Sequence, residues 1–324
     1  MKTYFISGGT GSFGKELAKT LIKKKLAKKI IIFSRDEFKQ SQMQKIPLFS
    51  KNKKILRFFI GDVRDKQRVQ QTMEGNQIDI VIHAAALKHV PVTEYNPFET
   101  IKTNIIGAQN IIESSMESNI KKVIALSTDK ACSPINLYGA TKLCSDKLFV
   151  AANLFKGKKN INFSVVRYGN VLGSRGSVVP IFLRQKESNK NFTITDKRMT
   201  RFNITLNEAV MFVLNCINRM KGGEIFVPKI PSYRILDLVK AISDKKKIEY
   251  IGIRPGEKLH EEMISTTDGI NTTEYKSYFI IHPSYEINRS KRTVKNFSSE
   301  TNSKFLSTKE LIKIIKKNLN SFEI

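Results

Sequence analysis

The apolar positions of the chain gather into short, β-branched runs, each closed by small or polar residues and followed by a stretch with helical spacing. The first run is Thr3–Ser7, TYFIS. Five more follow: KIIIFS ending at Ser34, ILRFFI ending at Ile60, IDIVIH ending at His83, KKVIALS from Lys121 to Ser127, and FSVVRY from Phe163 to Tyr168. Runs that are apolar on both faces suit strands covered by helices on either side, as in a parallel sheet. The intervening stretches supply the helices: one reaching Lys25, a long one from Pro97 through Ser118 that carries Asn104 and Gly107, and one beginning at Leu137. Beyond residue 180 the strict alternation stops. Residues 1–180 are therefore expected to form a layered α/β domain, and residues 181–324 mainly a smaller lobe with some segments returning to the core. In that lobe IEYIGI (248–253) reads as strand, Lys291–Ser307 as a polar tail of little structure, and TKELIKIIKKNL (308–319) as a closing amphipathic helix. No internal repeat is visible.

Between the first run and its helix stand Gly8-Gly9-Thr10-Gly11-Ser12-Phe13-Gly14. The spacing of Gly8, Gly11 and Gly14 is a variant of the dinucleotide fingerprint, in which missing side chains let backbone N–H groups and a helix N-terminus approach a pyrophosphate. Its place between strand and helix favours this over a plain β-to-α turn, and makes the expected fold a Rossmann-like doubly wound parallel sheet with a smaller C-terminal substrate-binding lobe. Cofactor choice is read at the end of the second run. An acid directly at that strand end binds the ribose diol of NAD, whereas Ser34 and Arg35, with Lys39 nearby, suit the 2′-phosphate of NADP. NADP is the expected cofactor, and Asp36 keeps NAD open. Asp62, after the third run, can accept from an adenine amino group, cap the segment after Arg64, or both. Small residues Ala84–Ala86, after the fourth, let a flat cofactor lie against the backbone.

The chemistry concentrates in Ser127–Lys142, STDKACSPINLYGATK. Ligands of open α/β sheets bind outside the carboxyl ends of the strands, where Ser127, Thr128, Asp129 and Lys130 leave the fifth run. Pro134 and Asn136 make a turn. The helix that follows puts Tyr138 and Lys142 four residues apart on one face, so the ammonium is expected to favour the phenolate of a group whose ordinary pKa is about 10. Tyr-x-x-x-Lys arises by chance on many helices; the strand end before it and the glycine turn single this one out. From the residues alone, Asp129-Lys130 reads either as an acid–base pair or as an inert ion pair. Gly169–Gly176 forms a polar, glycine-rich loop able to wrap nicotinamide or substrate. Arg254, in a Pro-Gly turn, can grip a diphosphate and Glu257 can accept from ribose hydroxyls, although such residues are often merely solvated.

The net charge of +27 over 324 residues raises the question of nucleic acid. Its distribution argues against that reading: the lysines cluster at 23–25, 51–54, 156–159, 245–247 and 313–317, at helix ends and loops, with no nucleic-acid-binding motif beside them. A solvated basic surface that helps attract an anionic substrate is the simpler account. No apolar run is long enough to span a membrane and no cleavable leader opens the chain, so a cytoplasmic protein with no membrane contact is expected. Cys132, Cys144 and Cys216, and His83, His89, His260 and His282, lack disulfide or metal-ligand spacing, so no metal is expected.

Taken in order, GGTGSFG, SRDEFKQ, GDVRD, HAAALKHVP, STDKACSPINLYGATK, RYGNVLGSRGSVVP, MTRF and IRPGEKLHE resemble the extended short-chain dehydrogenase/reductases over nearly the whole length. Within that superfamily the chain looks most like the inverting UDP-N-acetylglucosamine 4,6-dehydratases that begin pseudaminic acid biosynthesis; Asp129-Lys130 is the selective part. The resemblance implies oxidation at C4, elimination of water across C5 and C6, and return of hydride from NADP to C6, giving UDP-2-acetamido-2,6-dideoxy-β-L-arabino-hex-4-ulose. It implies Tyr138, helped by Lys142 and Thr128, as base at the 4-hydroxyl, Lys130 as base at C5, and Asp129 as acid at the 6-hydroxyl. The chemistry requires Lys130 neutral and Asp129 protonated in part of the cycle, against their free tendencies, and desolvation in a closed site is expected to push each that way. Relatives that retain the C5 configuration carry a carboxylate, usually Glu, where Lys130 stands, hence the expectation of inversion. Ser12, Phe13, Arg35, Lys39, Asp62, Val63, Lys88, Tyr138 and Lys142 match cofactor positions. Ala84, Lys88, Asn170, Thr195, Arg254 and Glu257 match sugar-nucleotide positions. A homo-oligomer, dimer or hexamer, is also implied. The rival is a UDP-sugar 4-epimerase, which needs Tyr138 and Lys142 but no acid–base pair at 129 and 130. Residues 40–57 and 266–300 match no family pattern.

Overall fold

The computed structural model describes residues 1–174, 177–243, 247–285 and 294–319; Arg175, Gly176, Lys245, Lys246 and the start of the expected polar tail lie outside them. The six apolar runs form β1 (Lys2–Ser7), β2 (Ala27–Ser34), β3 (Leu56–Ile60), β4 (Ile80–His83), β5 (Lys122–Thr128) and β6 (Asn162–Tyr168). They pair in parallel in the order β3-β2-β1-β4-β5-β6. Ile225–Pro228 continues the sheet in parallel beside β6, and Tyr278–Ile281 and Thr272–Glu274 close it antiparallel, giving nine strands among the described residues. The strand order reverses between β1 and β4, and a crevice opens there at the carboxyl ends. Burial of Phe5, Ile31, Phe33, Ile82, Val123 and Phe163 on the two faces explains the unbroken apolar runs, each such side chain contributing roughly 1.5–3 kcal/mol.

A second apolar cluster gathers Phe182, Phe192, Ile194, Tyr233, Leu238, Leu306 and Leu311 from the C-terminal part. The closing helix, Thr308–Asn318, lays Leu311 and Ile315 into it behind a Ser307–Glu310 capping box. IEYIGI is strand only over Ile248–Tyr250, paired with Phe192–Ile194.

Two expectations are corrected. The stretch 97–118 is not one helix: Pro97–Ile101 and Gly107–Glu117 flank a π turn at Lys102–Ile106. That turn presents Asn104 inward, where Nδ2 donates to Leu87 O (2.9 Å) and Thr141 Oγ1 (3.0 Å) and Oδ1 accepts from Leu87 N (2.9 Å). Asn104 thus ties the loop after β4 to the helix bearing Tyr138. The tail is also structured in its described part. Phe297–Ser298 pairs with Glu262–Ile264, Phe297 packs on Phe202 and Phe279, and Leu306 is buried. Its few apolar side chains suffice because the partners are already in place.

Candidate active site

The glycine turn closes tightly on the end of β4. Gly8 has φ +66°, and a Cβ there would lie 2.8 Å from Ala85 N; a Cβ at Gly14 would lie 2.6 Å from Gly9. Helix α1 (Ser12–Lys23) starts beyond Gly11, with no side-chain cap and no acidic residue in its first turn. Its N-terminal amides therefore face the crevice ready for an anion, and the turn fits a pyrophosphate. Gly8, Thr10, Gly11, Ser12, Phe13, Gly14, Ser34, Arg35, Asp36, Lys39, Asp62, Val63, Ala84 and Lys88 all line one cavity of about 560 Å³. Asp36 caps the helix Glu37–Lys45, accepting from Lys39 N at 2.9 Å, and meets Lys39 Nζ at 2.6 Å. Asp62 accepts from Arg64 N (3.0 Å) and Nε (2.8 Å) and lies 3.6 Å from Arg35. It caps no helix: Asp65 does that for Lys66–Glu74.

Thr128, Asp129, Lys130, Tyr138, Lys142 and Asn170 line the far end of the same cavity. β5 ends at Thr128 and turns through Asp129–Ala131. The helix Leu137–Phe155 then starts at Asn136, whose Oδ1 accepts from Gly139 N at 2.8 Å. Gly139 sits against the turn, since a Cβ there would lie 2.1 Å from Lys130 O. The small residue inside Tyr-x-x-x-Lys thus lets Tyr138 approach the strand end. The Thr128 hydroxyl helps hold the Tyr138 pKa down against burial and donates to Asp129 Oδ1 at 2.9 Å.

Lys130 Nζ stands between two buried carboxylates, 3.0 Å from Asp129 Oδ1 and 3.1 Å from Glu261 Oε1. Arg201 Nε stands 3.8 Å from the same Glu261 oxygen, and another Arg201 nitrogen 3.5 Å from Glu257. Burial raises the Asp129 pKa, as expected for an acid. Lys130 departs from expectation. Burial favours the neutral amine, but Asp129 and Glu261 together outweigh it and push the pKa up, so the resting group is an ammonium. The phenol departs as well. Burial pushes Tyr138 up to about 12, and the cation that counters this most is Lys130, not Lys142. Burial lowers the Lys142 pKa, opposed by Asp146.

A second cavity of about 270 Å³ meets the first at Lys130 and Asn170 and is lined by Thr195, Arg254 and Glu257. Every residue matched to a catalytic, cofactor or sugar-nucleotide position in the sequence lines one of the two. Those not singled out are Glu261, Arg201 and the buried set behind Lys142: Asp146 accepts from Ser127 Oγ (2.7 Å) and from Arg167 (3.3 Å), and Arg167 also reaches Asp268 (3.1 Å). The signal available for Glu261 was its place in the IRPGEKLHE motif; nothing local pairs it with Lys130.

Sheet order, glycine turn and Tyr-x-x-x-Lys helix together define an extended short-chain dehydrogenase/reductase. The sequence model of one of its families, the polysaccharide biosynthesis proteins, matches residues 4–283, and the chain belongs to that family. It is 53% identical over 330 aligned positions to the UDP-N-acetylglucosamine 4,6-dehydratase (inverting) of Campylobacter jejuni subsp. jejuni, with 97% of each chain covered. It is 42% identical to the UDP-glucose 4-epimerase of Rickettsia canadensis over 86% of this chain and 82% of the relative. Among solved structures, Pen from Bacillus thuringiensis superposes with a TM-score of 0.90 at 38% identity, covering 98% of this chain and 97% of that one.

Proposed function

We propose that the chain is a C5-inverting UDP-N-acetylglucosamine 4,6-dehydratase. The observation that carries this beyond the shared superfamily fold is the Asp129–Lys130 pair. It sits at 3.0 Å where the two cavities meet, beside the phenol that an epimerase would need alone. A nicotinamide cofactor, when bound, supplies the hydride acceptor and donor. Tyr138, linked to Thr128, takes the proton of the sugar 4-hydroxyl. Once C4 is a ketone the C5 proton is acidic, and the Lys130 amine removes it while Asp129 protonates the departing 6-hydroxyl as water. Both forms arise from one proton: its transfer from the Lys130 ammonium to Asp129 yields the free amine and the carboxylic acid together.

Gly8 to Gly14 would hold the pyrophosphate of the cofactor, and Arg35 and Lys39 support NADP over NAD through the charge they bring to the ribose end. Arg254 and Glu257 would hold the UDP part in the second cavity. We read residues 1–180 as the cofactor domain, 181–324 as mainly the substrate lobe, and the protein as a cytoplasmic homo-oligomer. Exposed Val92, Tyr95, Phe98 and Ile106 support assembly through the helices between β4 and β5. Proton NMR of the purified protein with UDP-N-acetylglucosamine in D₂O tests the activity. A 6-methyl signal with deuterium at C5 and ring couplings of the inverted sugar is expected. The galacto isomer without a methyl signal would establish the epimerase instead.

A further inference from the structure

Glu261 is 3% exposed, far below what an unassigned glutamate on a surface turn would show, and its Oε2 has no hydrogen-bond partner among the described residues. It lies just before the strand Glu262–Ile264, its N–H donating to Ser299 Oγ at 2.9 Å. Glu261 lines the second cavity, and its carboxylate touches Lys130 Nζ at 3.1 Å. Arg201 backs it and is itself fixed by the carbonyls of Lys258 and Leu259, both at 3.0 Å.

We propose that Glu261 is a positioning residue that makes Lys130 a strong base toward C5, by receiving the ammonium that forms as the amine takes the proton. The proposal rests on the dehydratase reading. In the elimination the C5–H bond breaks, its proton forms an N–H bond on Lys130 and its electron pair becomes the C5=C6 bond. The C6–O bond breaks, and the oxygen leaves as water with the proton of Asp129. Positive charge therefore appears on Lys130 in the transition state, 3.1 Å from an anion held in place beforehand. The same anion raises the pKa of Asp129, which helps that carboxylate accept the proton that Lys130 gives up before the elimination. One fixed carboxylate thus serves both partners. Lys130 is also faced by Asp129 from its own turn, Tyr138 from the next helix, Arg201 from the strand Thr200–Phe202 and Tyr233 from Ser232–Arg234; Lys258 bears on Glu261.

Glu261→Gln keeps the shape and removes the charge. The expected result is a fall in kcat of roughly ten- to a hundredfold with KM little changed. The deuterium isotope effect from C5-labelled substrate should grow, and the limbs of the kcat–pH profile should shift to lower pH, because both Lys130 and Asp129 lose the anion that raises them. A Gln variant with the wild-type isotope effect and pH profile overturns the proposal. If that variant does not fold, Glu261→Asp, which withdraws the carboxylate by one methylene, takes its place with a smaller fall and larger isotope effect expected; wild-type values in both then overturn it. Lys130→Ala is the control: full turnover by it would sink the dehydratase reading of the site, whereas an inert Lys130→Ala beside a wild-type-like Glu261→Gln sinks this inference alone.

Discussion

Lys130 and Lys142 both line the cavity at the end of β5, and the fold treats them oppositely. Lys142 is 3% exposed and its pKa falls. The Lys130 side chain is 22% exposed, yet its pKa rises. Desolvation penalises both ammonium groups, so the difference lies in the anions. Lys130 touches two carboxylates within 3.1 Å. The carboxylate that acts on Lys142 is Asp146, and it is already engaged by Arg167 and Ser127. A lysine deprived of its counter-ion suits binding and orientation at a cofactor; one gripped by two suits gaining and losing a proton. Burial sets the cost of charge, but the geometry of the partners decides its sign.

The largest effect that would break this contrast is removal of the amines themselves. Lys130→Ala is expected to abolish methyl formation, by more than about a thousandfold, while leaving oxidation at C4 possible. Lys142→Ala should lose both if, as proposed, it acts at the cofactor end. The check is NMR for the 6-methyl group alongside washout of label from C4-deuterated substrate into the cofactor. Equal loss of both reactions in the two variants would erase the division of labour.

Next in size is the buried pair behind Lys142. Arg167 is 1% exposed, bound to Asp146, to Asp268 and to Met263 O at 3.0 Å. Arg167→Leu strips Asp146 of its guanidinium partner in the core, leaving it Ser127 and the more distant charge of Lys142, and urea unfolding should show a loss of about 3–5 kcal/mol. Adding Asp146→Leu should restore more than half of it, because the stranded charge goes too. A single variant within about 1 kcal/mol of wild type would mean that Asp146 is carried neutral, and its hold on Lys142 would fall with it.

These residues also mark where sequence reasoning stops. β1 to β6 were legible because a strand buried on both faces must be apolar along its length. Ser127–Lys142 was legible because a strand end, a turn and one helical face place its side chains by local geometry. Glu261 and Arg201 were not, because they reach Lys130 only after Phe297–Ser298 pins Glu262–Ile264 and Thr200–Phe202 pairs with Ser232–Arg234. Reading Lys130 as pushed toward the neutral form followed from burial; Asp129 and Glu261 together outweigh it. The break at Lys102–Ile106 was hidden in the same way, since Asn104 turns inward for a partner on the loop after β4.

The smallest effect extends the comparison to a third lysine, in water. Lys39 Nζ meets Asp36 at 2.6 Å, closer than either contact of Lys130, with the side chains 42% and 39% exposed. Solvent screens such a pair, so the short distance carries little energy. What Asp36 contributes is the cap on Lys39 N, which a neutral amide oxygen can replace. Asp36→Asn is therefore expected to leave Tm unchanged, and Asp36→Ala to lower it by about 2 °C. Freed of its partner, Lys39 should bind the 2′-phosphate better, so either variant should raise the preference for NADP over NAD at low salt, and less so at high salt. A scan of Tm with cofactor titrations at two ionic strengths reads both. A loss in Asp36→Asn as large as in Asp36→Ala would show the charge to matter at the surface as it does beside Lys130, and the distinction between screened and buried carboxylates would not hold for this chain.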